Sequence, residues 1–288
     1  MGDTIRLYRK KKGGVWGYVD ESERFVINPQ YLYAREFREG FAAVKRRGPK
    51  ADPDSLADEW GFIDKTGAVA ISFQYDDAFS FSEGRAGVRK KLRWGFINEA
   101  GELVVDFSYE FVHDFFEGLA RVKREGVYGY VDREGDEAIP PRFERAHDFF
   151  DGLARVAYDG LYHVIDKSGA ELTKRGYEHI SRFSEGFAAV RRDGKHGFVG
   201  RDGGETVEPK YEDAQPFSEG LARVRQNGLY GFIDVEGNVV VPCKYESAYS
   251  FSEGLVSVRK DGKWGYINEK GDEFFADDRF KVAFHDTM

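Results

Sequence analysis

An aromatic-glycine pair followed by two hydrophobic residues returns every 34 residues along this chain. It reads Trp60-Gly61, Trp94-Gly95, Tyr128-Gly129, Tyr162-His163, His196-Gly197, Tyr230-Gly231 and Trp264-Gly265. Trp16-Gly17 lies 44 residues upstream of Trp60, and the ten extra residues form the segment Pro49–Asp58. A fixed period of this size means one supersecondary unit repeated in an array, so the unit sets the fold. Counted from the residue after each acidic-glycine pair, the units are 7–40, 41–84, 85–118, 119–152, 153–186, 187–220, 221–254 and 255–288. The expectation is one repeat domain over 1–288, interrupted at 49–58, with no room for a separate catalytic domain or tail.

The unit 221–254 shows why it should be β-structure. Leu221, Arg223 and Arg225 alternate with Ala222 and Val224, the period of two that suits a strand. Asn227-Gly228 is a tight-turn signal, and Tyr230–Asp234 is a second strand rich in aromatic and β-branched residues. A turn at Glu236-Gly237-Asn238 leads into a third strand, Val239–Val241. The result is an antiparallel meander. In the remainder, Tyr245, Ala248 and Phe251 are spaced by three, which fits either a kinked fourth strand or a helical turn crossing to the next unit.

Large rings recur in two columns, Tyr31 through Tyr245 and Phe37 through Phe251, with a small or β-branched residue between them. Rings alternating with small residues at fixed phase are what interlocking neighbours need. The acidic-glycine step suits a backbone at positive φ, with the carboxylate accepting turn N–H groups.

The best-matched residues are Lys263-Trp264-Gly265-Tyr266-Ile267-Asn268 and Phe251-Ser252-Glu253-Gly254-Leu255. They resemble the bacterial WG (KWG) repeat, over nearly the whole chain. The resemblance implies a non-catalytic β repeat domain and carries no catalytic residues, so none are assigned. The chain departs from the pattern at His163 in place of glycine, at His196 in place of tryptophan, and over Ala276–Met288. Local strand geometry is the feature these departures call into question. Eight four-stranded units would close as a propeller-like ring, which leaves only short edges. An open β-solenoid with a modified last unit as its cap is the alternative, since 34 residues is short for a propeller blade.

A net charge of -8 argues against general nucleic-acid or membrane binding. One cysteine, Cys243, excludes an intramolecular disulfide; it stands where sister units carry Pro141 and Pro209. The sequence holds no apolar run of signal-peptide or membrane-span length, so a cytoplasmic location is expected. None of the common hydrolase, nucleotide-binding or metalloprotease motifs is found, and no cofactor or metal is expected.

Three features break the repeat and stand as candidate sites. The first is a basic stripe on the first strand: Lys11, Lys45, Arg89, Lys123, Arg191, Arg225 and Arg259, interrupted at Ala157. It reads as a rail for an acidic partner, or as a solvated face paired with Asp20, Asp64, Asp132, Asp166 and Asp234 of the second strand. The second is the pair His113-Asp114-Phe115-Phe116 and His147-Asp148-Phe149-Phe150, where sister units mostly carry serine at the position of Phe116 and Phe150. It reads as an aromatic and imidazole patch for a partner protein, or as the relic of a unit duplication. The third is the insertion 49–58, either a recognition loop or a tolerated surface insertion. Together they give a binding scaffold for another protein, with a lectin-like or anion-binding module as the alternative.

Overall fold

The computed structural model describes residues 6–48 and 58–275. These form two compact units, Met1–Tyr158 with Lys167–Gly169 and Asp159–Asp166 with Ala170–Met288. Most of the insertion and the stretch 276–288 lie outside the described residues. Among those described there is no helix; the protein is a tandem series of small antiparallel sheets.

The first sheet is the meander β1 (Tyr8–Lys12), β2 (Val15–Val19) and β3 (Phe25–Tyr31). The second has four strands in the order β4 (Tyr33–Ala34), β5 (Phe41–Arg46), β6 (Glu59–Asp64) and β7 (Val69–Tyr75). The same four-strand order recurs in sheets over 77–109 and 111–143 of the first unit, and over 179–211, 213–245 and 247–275 of the second. The ten-residue insertion leaves its hairpin intact, since Arg46 still faces Glu59.

The segment spaced by three is therefore a strand, but of the following sheet. Tyr33 and Ala34 pair with Lys45 and Val44, and Ser247 and Ala248 with Arg259 and Val258. Each such sheet is stitched from two sequence repeats. Neighbours are covalently and sterically committed to one another, which a meander this small requires in order to bury enough surface.

The glycine of the aromatic-glycine pair is explained by close approach. Opposite Gly95, the third strand bulges, so that Trp94 faces Tyr109 while Phe96 faces Val105. A Cβ on Gly95 would sit 2.3 Å from the Val105 carbonyl oxygen, and one on Gly129 2.5 Å from that of Ile139. The one repeat that breaks the rule loses its third strand. His163 is buried, its Nδ1 lies 2.5 Å from Glu171, and Tyr162 and Ile165 keep only isolated bridges to Tyr177 and Glu171. Gly176 gives it room, for a Cβ there would fall 2.8 Å from His163 Nε2. The departure at His196 costs nothing comparable, since its sheet keeps all four strands.

The phenylalanine column packs edge-on against the second strand before it. Phe62–Phe81, Phe96–Phe115 and Phe232–Phe251 have ring centroids 5.1, 4.9 and 4.9 Å apart. Such pairs add about 0.5–1.5 kcal/mol beyond the area they bury. Backbone polar groups are tied from repeat to repeat as well. The carboxylate of Glu39 accepts the N–H groups of Glu83 and Gly84 at 2.8 and 2.9 Å, and Glu185 those of Glu219 and Gly220 at 2.8 and 2.9 Å. Glu219 does the same for Glu253 and Gly254, and Glu117 for Asp151 and Gly152. The acid thus caps the next repeat's turn rather than its own. The serine before it donates to the carbonyl of the next columnar phenylalanine: Ser82 to Phe115, Ser184 to Phe217, Ser218 to Phe251.

Candidate functional site

The cations of the basic stripe make cation–aromatic and ion-pair contacts. Strand register puts Lys45 opposite Trp60, Arg89 opposite Trp94, Lys123 opposite Tyr128 and Arg225 opposite Tyr230. The cations of Lys11, Arg89, Lys123 and Arg225 lie 5.3–5.7 Å from the ring facing each. Arg191, Arg225 and Arg259 also meet Glu178, Glu212 and Glu246 at 2.7, 3.8 and 3.3 Å, and Lys45 meets Asp58 at 3.2 Å.

The second-strand aspartates are not their partners. Asp64 faces Phe41 and Asp132 faces Leu119. Their side chains turn back to cap their own turns, as Asp64 does for Thr66 and Ala68 at 2.8 and 3.0 Å. The reason is geometric: an aspartate is short, and the turn amides two and four residues on are nearer than the basic head groups.

The repeated histidine-aspartate-phenylalanine segments divide into a charged part and an aromatic part. Phe115 and Phe149 are core. Phe116 and Phe150 are 46% and 75% exposed, at the positions where Ser82, Ser184 and Ser218 bind the next repeat. Both phenyl rings belong to the first compact unit.

His113 and the two aspartates turn into a charged cluster drawn from four repeats of that unit. Arg121 donates to Asp148 at 3.1 Å and to the Ala146 carbonyl, and its Nη2 lies 2.7 Å from His113 Nε2. Asp114 meets Arg38 at 3.6 Å, across two repeats. Arg35 donates to the Ala78 carbonyl at 2.7 Å and lies 3.7 Å from Asp77. Burial pushes the His113 imidazole down, and Arg121 adds to this while Asp148 opposes it. Burial likewise pushes the Asp114 carboxyl up, despite the opposing pull of Arg38 and Arg35. The backbone carbonyl of His147 accepts the Tyr130 hydroxyl, and its N–H reaches the Arg155 carbonyl at 2.9 Å.

The sequence pattern points to the His113-Asp114 and His147-Asp148 segments but not to Arg121, which joins them. A signal was present. The third residue of the first strand is arginine at Arg9, Arg121, Arg155 and Arg223 but alanine, glycine or serine in sister units. Arg9 also clasps a carboxylate and a backbone carbonyl of the next edge segment, Glu36 at 2.6 Å and Ala34 at 2.9 Å.

Among the described residues no group of three His, Cys, Asp or Glu side chains is placed to hold a metal ion, and no helix is long and apolar enough to cross a membrane. Cys243 is half-buried, and burial pushes its thiol up.

Fold and contacts define an all-β tandem-repeat protein with repeat-specific charged and aromatic positions. The family model for the WG containing repeat matches residues 16–48, 60–91, 94–128, 128–162, 164–195, 197–230 and 230–264, and the chain belongs to that family. Comparison with curated proteins finds no match. Among solved structures, the chain is similar to a eukaryotic initiation factor at 9% identity, covering 94% of this chain and 84% of that one with a TM-score of 0.46. It is also similar to Kluyveromyces lactis Hsv2 at 10% identity, covering 88% and 89% with a TM-score of 0.38. At such scores these likenesses bear on neither shape nor role.

Proposed function

We propose that this WG-repeat chain is a non-catalytic, cytoplasmic scaffold that binds another protein, with Phe116 and Phe150 as its anchors. One observation carries the reading. At two successive repeats the serine that in three sister repeats donates to the next repeat's backbone is replaced by a phenyl ring, half exposed at Phe116 and mostly exposed at Phe150. Giving up a backbone tie worth about 0.5–1.5 kcal/mol to expose an aromatic side chain is a poor exchange for stability. It is a good one for recognition, because aromatic anchors carry a large share of interface energy.

The test is capture of partners from the native host's lysate by the intact chain beside a Phe116→Ser/Phe150→Ser variant. A partner held by the intact chain and released by the variant supports the proposal. Equal capture by both refutes the anchors. A second reading, a small-ligand module, draws support from Asp114, a partly buried carboxylate set near Arg35 and Arg38. A ligand there would be lost in Asp114→Asn and retained in the phenylalanine variant.

A further inference from the structure

Five acidic-glycine turns receive a glutamate carboxylate from the preceding repeat: those at Glu83, Glu117, Asp151, Glu219 and Glu253. The turn Glu39-Gly40 has the same backbone, with φ of 50° and 88° against 54° and 87° at Glu117-Gly118. Its two N–H groups meet no protein acceptor among the described residues. They line an exposed cleft of about 360 Å³ together with Arg6, Phe37 and Lys65.

The cations there have a precedent inside the molecule. At the Asp151-Gly152 turn the bound Glu117 carboxylate is also held by Lys167, at 3.2 Å. Lys65 occupies the same phase of the repeat once the ten-residue insertion is set aside. Neither Arg6 nor Lys65 has an ion-pair partner among the described residues. The two acids of the cleft are engaged elsewhere, Glu36 by Arg9 at 2.6 Å and Glu39 by the Glu83 and Gly84 amides.

We propose that the Glu39-Gly40 turn, with Lys65 and Arg6, is a receptor for a glutamate side chain of a partner peptide. Each carboxylate oxygen takes one turn N–H, and the ammonium of Lys65 takes the remaining charge. Charge-assisted bonds of this kind are short and about twice as strong as neutral ones. The residue that fills the five turns named above is glutamate, and in four of them its two oxygens take the two turn amides. The cleft's lining includes neither Phe116 nor Phe150, so the site survives or fails independently of the anchors.

Amide resonances of the 15N-labelled full chain would be followed during titration with acetyl-Phe-Ser-Glu-Gly-amide, its glutamine counterpart, and acetate. The expected result is a downfield shift of the Glu39 and Gly40 amide protons with the glutamate peptide, saturating at about millimolar concentration. Acetate should move the same two resonances at higher concentration, and the glutamine peptide should leave them in place. In Lys65→Ala the peptide should bind several-fold more weakly while all other resonances hold their positions. Equal shifts with glutamine, equal potency of acetate, an unchanged affinity in Lys65→Ala, or no shift at about tens of millimolar peptide would each overturn the proposal.

Discussion

Replacing Gly95 by alanine tests the structural logic of the repeat where it is tightest. The new methyl group would lie 2.3 Å from the Val105 carbonyl oxygen and 3.1 Å from Asp106 backbone atoms. Ordinary contact needs about 1 Å more, so the third strand must move away. Overpacking of this kind costs about 1–3 kcal/mol. Displacing the strand also weakens the pairing of Trp94, Phe96 and Ile97 with Tyr109, Val105 and Leu103, at about 0.5–1.5 kcal/mol per hydrogen bond. The combined loss is about 3–5 kcal/mol, with faster hydrogen exchange confined to residues 103–109. His163 shows the expected end point, a repeat whose third strand survives only as isolated bridges. The control is Gly118→Ala. Gly118 has φ of 87° with open space around its Cβ direction, so that variant should lose only about 1–2 kcal/mol of backbone strain. Urea denaturation of both variants decides the matter. If Gly95→Ala costs no more than Gly118→Ala and protection over 103–109 is unchanged, close approach is not why the glycine is there.

Further predictions concern the ties between repeats. Glu219→Gln keeps one acceptor but turns an amide N–H toward the second turn N–H, so it should lose about 1–2 kcal/mol, read as a lower denaturation midpoint at unchanged slope. Arg121→Ala removes the links to His113, Ala146 and Asp148 and should cost about 2–3 kcal/mol in the same assay. Phe116→Ser should stay within about 1 kcal/mol of the parent, because a regained serine bond to the Phe149 carbonyl offsets the loss of a half-buried ring. Glu273 is held at about 2 by hydrogen bonds from Lys244 and Lys260, with burial opposing and Tyr245 assisting. Its folded value lies below the ordinary 4.5, so its stabilisation is present above that pH and is lost as pH falls toward 2. The stability gap between the parent and Glu273→Gln should therefore be full at pH 7 and close on acidification through that window.

The parts of this structure legible in the sequence were the local ones. Asn227-Gly228 announced its hairpin, and both residues have positive φ, 52° and 77°. The alternation from Leu221 to Arg225 announced its strand. Spacing could not say which sheet Ser247 and Ala248 would join, because their partners Arg259 and Val258 lie in the next repeat. For the same reason the glutamate of the acidic-glycine pair looked like a cap for its own turn, while the amides it binds are 34 residues on. At the candidate site the replacement of serine by Phe116 and Phe150 was visible. The partnership of Arg38 with Asp114 was not, since it joins residues 76 apart by geometry that no period encodes.

The proposed docking surface for a protein partner is the pair of exposed phenyl rings at positions where three sister repeats carry a serine tie. Hydrogen-exchange mass spectrometry of the complex captured from host lysate tests this most directly. Docking there should slow exchange in the backbone around Phe116 and Phe150, residues 111–119 and 145–153, with the equivalent segment 213–221 unchanged. Protection elsewhere with those two segments unaltered would contradict it.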